Sequence, residues 1–532
     1  MTSVRNSMAV PIILALALTA CGGQPVDDST TLHRGNRIEP LSLDPQVAII
    51  MDERTIVADL FVGLYEPGPD GRPLLGLADA VSTSEDGLVW TFTLREAVWS
   101  DGVQITADDV VAGLWRTVDP ETRNQYPSPL FMIENAEAIS SGEQEVHLMG
   151  VQAIGPRTVE IRLSYPAPYL PSVLMYWGQP IPRHALAEFG EDWVQAENMV
   201  TSGPFSLVEW RSSNFIHLRA NPQFYDAGSV CLSDVYFYPT MDTAAAERRV
   251  RGGELDLNKE FSSASLAFLE ENHPNLVQSG PGLTVRDVSF NVTSAPFDNP
   301  DVRRALAMAI DRDFITDEVF GGAETALRRP VAAGISGRSD DVAPAWAAIG
   351  MEARRLESLR LLEGAGFGPD NPLRFTFYHV PSAGWPRIAP VIQRDWAMIA
   401  PWVEVDVLSR DTQLHYDAMR AGDFQVAAQG WVPDFDDPYG YLLQWESSAG
   451  EVNYTRWSDP AYDALISEAL ESVDPARRMD LFARAEQLVV DAAPMTPVFV
   501  ENNKHLVGQR VEGWITNPSA INPSRWLCVG GE

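Results

Sequence analysis

Strict alternation of apolar and polar positions marks several stretches of the chain as half-buried strands. In 88–99, LVWTFTLREAVW, Trp90, Phe92 and Leu94 alternate with Thr91 and Thr93. The stretches 158–170, TVEIRLSYPAPYL, and 214–226, NFIHLRANPQFYD, read the same way, the first closed by its prolines. A further stretch, 424–431, FQVAAQGW, is a mostly apolar run interrupted by Gln425 and Gln429 and predicts a buried strand. It runs directly into 429–442, QGWVPDFDDPYGYL, where three carboxylates stand among aromatics and prolines. Asp and Pro are turn formers, so a turn is one reading of that loop. The other is a ligand seat, a carboxylate held at the mouth of a cleft.

Helices follow from the 3.6-residue period and its punctuation. Thr106 with Asp109 three residues later has the form of a capping box after the turn Ser100-Asp101-Gly102. Asn299-Pro300 opens a helix through 301–315 with Val302, Leu306, Ala309 and Ile310 on one face. The stretch 352–366 ends in glycine, and Asp474-Pro475 opens another helix in which Leu481, Ala485 and Leu488 share a face. These stripes are core packing. Mixed strands and helices with long connections predict an α/β or α+β protein, and 532 residues are too many for one ordinary core, so several lobes are expected.

The balance of 39 Lys+Arg against 73 Asp+Glu gives a formal net charge of −34, which speaks against nucleic acid as a partner. The first twenty residues stand apart from the fold. Arg5 precedes an apolar run from Met8 to Ala20, the length of a signal segment and short for a membrane span. The run ends in Leu18-Thr19-Ala20-Cys21, which matches the bacterial lipobox, so Cys21 is expected to carry lipid and to begin the mature chain. Residues 21–31 read as a flexible tether. Of three cysteines this leaves Cys231 and Cys528, which an exported chain either bridges or keeps as two buried thiols.

Catalytic and metal signatures are missing from the sequence. The eight histidines form no H-E-x-x-H or other close ligand pair, and no G-x-S-x-G or Walker sequence occurs. GAGFG (364–368) follows a helix rather than a strand, and Pro438 and Tyr439 break the calcium-loop pattern that Asp434 and Asp436 begin. No cofactor and no metal are expected. Paired carboxylates could still serve a secreted hydrolase acting on glycans.

Six stretches, in order, carry a resemblance. They are EPLSLDPQ (39–46), ADLFVGLYEPGPDGRPLLGLADA (58–80), WTFTLREAVWSDGVQITADDVV (90–111), SGPFSLVEW (202–210), FNVTSAPFDNPDVRRALAMAIDR (290–312) and the acidic loop itself. Together they cover nearly all of the mature chain, and they resemble the extracytoplasmic solute-binding proteins of family 5, the oligopeptide- and dipeptide-binding components of ABC importers. The resemblance implies an α/β, bilobal, periplasmic-binding-protein-like fold of type II with an additional third domain. Residues 1–20 would be the signal peptide and 21–31 the tether. Residues 32–50, 191–283 and 499–532 would form lobe I, 51–190 the extra domain, and 284–498 lobe II. A Cys231–Cys528 bridge would then lie within lobe I.

In that family the Asp at the position of Asp434 pairs with a peptide's α-ammonium, so the resemblance implies this role here, with Trp431 and Phe435 walling the site. Glu39 and Pro40 are candidates from the facing lobe. Two departures stand out: Val432 occupies the place of a loop cysteine, whose counterpart near Leu283-Thr284 is also missing. Ala427-Ala428 replaces a basic residue that helps hold a peptide carboxylate, and Arg420 is the candidate substitute. The expectation is a monomeric, lipid-anchored, periplasmic or cell-surface protein that captures peptides and delivers them to an ABC permease and its ATPase subunits, without catalysis. The same fold also binds nickel chelates, glutathione and oligosaccharides, and a sensory or chaperone-like descendant is a further alternative.

Overall fold

The computed structural model describes residues 28–530. Cys21, the signal segment and most of the tether therefore lie outside the described residues. Among the described residues no helix is long and apolar enough to cross a membrane, and no group of three His, Cys, Asp or Glu side chains is placed to hold a metal.

Three of the sheets have four or more strands. The seven-stranded sheet runs, in spatial order, through 277–280, 503–507, 257–258, 31–35, 234–238, 215–220 and 205–211. Its central strand Thr31–Gly35 is parallel to Asp234–Tyr238 and to Leu257–Asn258. The six-stranded sheet runs through 325–326, 495–500, 285–290, 426–431, 373–379 and 403–409. In it Leu373–His379 is parallel to both Val403–Ser409 and Val426–Trp431, and Val285–Phe290 is antiparallel to its two neighbours. A four-stranded antiparallel sheet holds 78–83, 89–94, 158–162 and 151–155.

Local sequence explains most of these elements. Thr106 and Asp109 form the reciprocal cap of helix Ala107–Val118, the Asp109 carboxylate accepting from the Thr106 backbone N–H at 2.8 Å. Asn299 and Asp474 cap Pro300–Ala309 and Pro475–Ala492 through their side chains. One expected helix is broken, however. The turn Arg312–Phe314 is separated from Pro300–Ala309 by extended backbone at Ile310. The fully buried Arg312 accounts for it: its guanidinium collects the Ala307 and Ile310 carbonyls at the helix end, and those of Leu327 and Pro497 from neighbouring segments. A buried charge needs these acceptors more than the helix needs another turn.

One continuous core joins the seven- and four-stranded sheets, with Leu32, Val235 and Phe237 in the same cluster as Phe92, Leu114 and Ile161. The six-stranded sheet packs Val288, Phe290, Phe375, Phe377 and Trp396 into a second cluster, which also takes in Leu255, Leu269 and Leu506 from the seven-stranded side. At about 1.5–3 kcal/mol for each large side chain removed from water, this shared packing helps hold the two sides together. The chain crosses between the two lobes at 281–284 and 501–502. There Glu501 pairs with Arg286 at 2.8 Å, and the Glu324 carboxylate accepts from Asn502 N–H at 2.8 Å and from Lys504 Nζ at 2.5 Å. Cys231 and Cys528 form a disulfide that ties the C-terminal segment to the seven-stranded sheet's side of the molecule.

Candidate functional site

Strand Val426–Trp431 lies inside the six-stranded sheet, flanked by Val285–Phe290 and Leu373–His379, and its C-terminal end delivers the acidic loop. The loop is pinned at several points. The Trp431 indole N–H donates to the Gly440 carbonyl at 2.8 Å, tying the strand end to the far end of the loop. Gly440 is required there, since a Cβ would stand 2.8 Å from that of Pro433. Asp436 accepts from the Ser336 N–H at 2.7 Å and from its hydroxyl at 2.5 Å. Asp437 accepts from Tyr439 N–H at 3.0 Å, a local turn contact, but it is not a surface acid. It is 6 % exposed and takes both arms of Arg478, at 2.5 and 3.0 Å.

So pinned, the loop reaches the other lobe. Phe435, 7 % exposed, leaves its own sheet's core and joins the core of the facing lobe. Its ring stacks on Tyr169, with centroids 4.1 Å apart and planes 11° from parallel. Beside it, both oxygens of Asp434 lie 2.8 and 2.7 Å from the Tyr126 hydroxyl. Arg54, on helix Met51–Leu60, adds a positive charge to the same neighbourhood; it is 4 % exposed, donates to the Tyr176 carbonyl, and lies 4.1 Å over the Trp177 ring.

The electrostatics follow from this burial. Desolvation pushes the Asp434 carboxyl up to about 6, against the pull of the Tyr126 hydrogen bond and the Arg54 charge. Burial and the adjacent carboxylate push the Tyr126 phenol above its ordinary range. At neutral pH the proton therefore stays on Tyr126 and Asp434 is ionised. One hydroxyl supplies one proton, so the carboxylate keeps unused acceptor capacity on a desolvated wall between lobes. This arrangement suits an N–H-bearing cation brought by a ligand.

The remaining candidates fall elsewhere. Glu39 accepts from the Trp210 indole at 3.1 Å and the Ser213 backbone N–H at 2.9 Å, so with Pro40 it lines a small cavity of about 10 Å³ with Trp210 and Phe237. Arg420 pairs with Asp417 one helical turn away and neighbours Tyr454. Neither is joined to Asp434. Lipidation of Cys21 concerns a residue outside those described. Conversely, sequence reading missed Tyr126, Tyr169 and Arg54. Tyr126 lies in RNQYPSPL (123–130), which has no periodicity, and Arg54 belongs to an Asp52-Glu53-Arg54 run that reads as a solvated face yet is wholly buried. The one available signal was a tyrosine in a proline-rich loop.

This architecture has known counterparts. A family model described as bacterial extracellular solute-binding proteins, family 5 Middle, matches residues 72–453. The periplasmic oligopeptide-binding protein OppA of Salmonella typhimurium is 32% identical over 519 residues, which cover 96% of this chain and 95% of OppA. Among solved structures, the murein tripeptide-binding protein MppA in its unliganded open form aligns with a TM-score of 0.84 and 28% identity, covering 94% of this chain and 98% of MppA. Haemophilus influenzae OppA in complex with the peptide RPPGFSPFR aligns with a TM-score of 0.77 and 27% identity, covering 95% of this chain and 100% of that one. The chain belongs to the bacterial extracellular solute-binding proteins of family 5, and it has their bilobal type II periplasmic-binding-protein fold with an added third domain.

Proposed function

We propose that this protein captures peptides between its two lobes and delivers them to an ABC permease, anchored outside the membrane by lipid on Cys21. The observation that carries the reading is the Asp434 carboxylate of lobe II, held by Tyr126 of the extra domain with acceptor capacity to spare. A peptide's α-ammonium loses its hydration on entering such a cleft, and a fixed carboxylate replaces that hydration with a charge-assisted hydrogen bond. Extended backbone beside the site can pair with the peptide main chain, which leaves side chains to roomy, hydrated pockets. Because the ligand touches both lobes, binding favours the closed arrangement about the crossings at 281–284 and 501–502. The names of the relatives, oligopeptide- and murein-tripeptide-binding proteins, support this ligand class.

In this reading lobe I comprises 32–50, 191–283 and 499–532, the extra domain 51–190, and lobe II 284–498. The protein acts as a monomer and catalyses nothing, ATP hydrolysis belonging to other subunits. Native mass spectrometry of protein purified without its lipid tests the ligand class. Released peptides of mixed sequence and narrow length are the expected result. A single nickel chelate, sugar or other non-peptide compound would replace the ligand while keeping the fold, and turnover of a peptide or glycan panel would replace binding by hydrolysis. Cys21→Ser is expected to move the protein from the membrane to the soluble fraction, and unchanged membrane association would refute the anchor.

A further inference from the structure

Strand Val426–Trp431, which delivers the acidic loop, gives up its side chain at Gly430, one residue before its end. On the same face Val426 and Ala428 pack into the apolar core. Arg286 is the partner of Gly430 in register on the neighbouring strand, and a Cβ on Gly430 would collide with Arg286 Nη1 and stand 2.9 Å from Cζ. The glycine therefore lets the guanidinium lie against the backbone of the strand that leads to Asp434.

Arg286 is held there by one edge. Its Nε donates to Glu501 Oε1 at 2.8 Å, beside the crossings between the two lobes. Among the described residues its hydrogen bonding goes no further, and with the side chain 20 % exposed, Nη1 and Nη2 are not sealed from solvent. A guanidinium carries four N–H donors on those two nitrogens, so its outer end is free to bind. Asp434 lies four residues along the chain from Gly430, a path that spans at most about 14 Å. Between them Val432 is 52 % exposed, so the stretch that joins the two charges is open to a ligand.

Resting on the peptide reading above, we propose that Arg286 receives the ligand's C-terminal carboxylate, so that the site takes short peptides with both ends free, of up to about four residues. A peptide held by its ammonium at Asp434 and laid back along Val432 brings its other end to the crossing. There Nη1 and Nη2 offer two parallel N–H bonds to the two carboxylate oxygens, while Glu501 fixes the opposite edge of the guanidinium. The role expected of Arg420, which pairs with Asp417 instead, falls to Arg286.

Competitive capture tests this. The delipidated protein is offered equimolar alanine peptides of about two to six residues, each as the free acid and as the C-terminal amide, and the retained species are released and counted by mass spectrometry. For peptides of up to about four residues, wild type should retain acid over amide by at least about tenfold, the scale of a charge-assisted hydrogen bond. At about six residues the two forms should be retained equally. Arg286→Gln should bring the short-peptide ratio below about threefold; a purely structural role at the crossing would lower acid and amide together and leave the ratio unchanged. Should that variant not fold, Gly430→Ala, whose Cβ displaces the guanidinium, should lower the same ratio. Equal retention of acids and amides by wild type, a preference for acids that persists at six residues, or a ratio unmoved by either substitution would overturn the assignment and leave peptide capture standing. Retention of no peptide at all would remove both.

Discussion

The carboxylate of Asp434 and the hydroxyl of Tyr126, 308 residues apart in the chain, meet at 2.7–2.8 Å. One residue comes from a loop of the six-stranded sheet, the other from the segment that packs on the opposite lobe. The contact therefore joins the two sides of the molecule, and in the proposed reading the ligand meets a charge whose position both sides define. Asp434→Ala is expected to weaken peptide binding by about 2–5 kcal/mol, the scale for truncating one partner of a buried charge pair. Calorimetry with a peptide recovered from the native protein measures it; unchanged affinity would take Asp434 out of the site.

Affinity should depend on pH in one direction. Because burial raises the Asp434 carboxyl to about 6, protonation competes with the ligand's ammonium below that value. Binding should be level above about pH 7 and fall roughly tenfold per unit below about 6. Tyr126→Phe removes a hydrogen bond to a charged group, worth about 1.5–3 kcal/mol, and with it part of what holds the carboxyl down. The variant should bind more weakly at pH 7, with its midpoint moved upward. A pH titration of affinity that is flat from 5 to 8 in wild type would contradict this.

The buried Asp437–Arg478 pair should prove structural. Arg478→Ala leaves the Asp437 carboxylate uncompensated in the interior, a change that costs about 3–5 kcal/mol. Thermal and urea unfolding should show the loss. Binding should weaken as well, since the same pair fixes the loop that carries Asp434. Full stability in this variant would mean that water reaches Asp437.

Asp287 offers a test of the reverse sign. It is 1 % exposed on the strand beside Val426–Trp431, has Ser289 as a hydroxyl donor at 3.0 Å, and is pushed up to about 7 by burial. Its value in the unfolded chain is about 3.9, so between roughly pH 4 and 7 the native state holds a proton that the unfolded state has released. Stability consequently falls as pH rises through this window, and the full penalty applies above 7. Asp287→Asn keeps the shape without the charge. It should raise stability by up to a few kcal/mol at pH 8, at about 1.4 kcal/mol per unit of displacement, and much less at pH 4.5. Equal effects at both pH values would show that Asp287 is not buried as a charge.

The elements legible along the chain are those specified by near neighbours. The alternation of Trp90, Phe92 and Leu94 makes a strand, the Thr106–Asp109 box starts a helix, and the side chains of Asn299 and Asp474 stop N–H groups from going unpaired, because such signals act over one or two turns of chain. The acidic loop after a buried strand was also legible, because the strand and the turn formers that end it are adjacent in the chain. Which charges are paired, and with what, depends instead on contacts distant in the chain. Asp434, Asp436 and Asp437 look alike in a row, yet one meets Tyr126, one Ser336 and one Arg478. Arg54 reads as one more solvated charge, and Arg312 as part of an unbroken helix. The cost of burying an ion is set by acceptors and counter-charges hundreds of residues away, and no local pattern records whether they arrive.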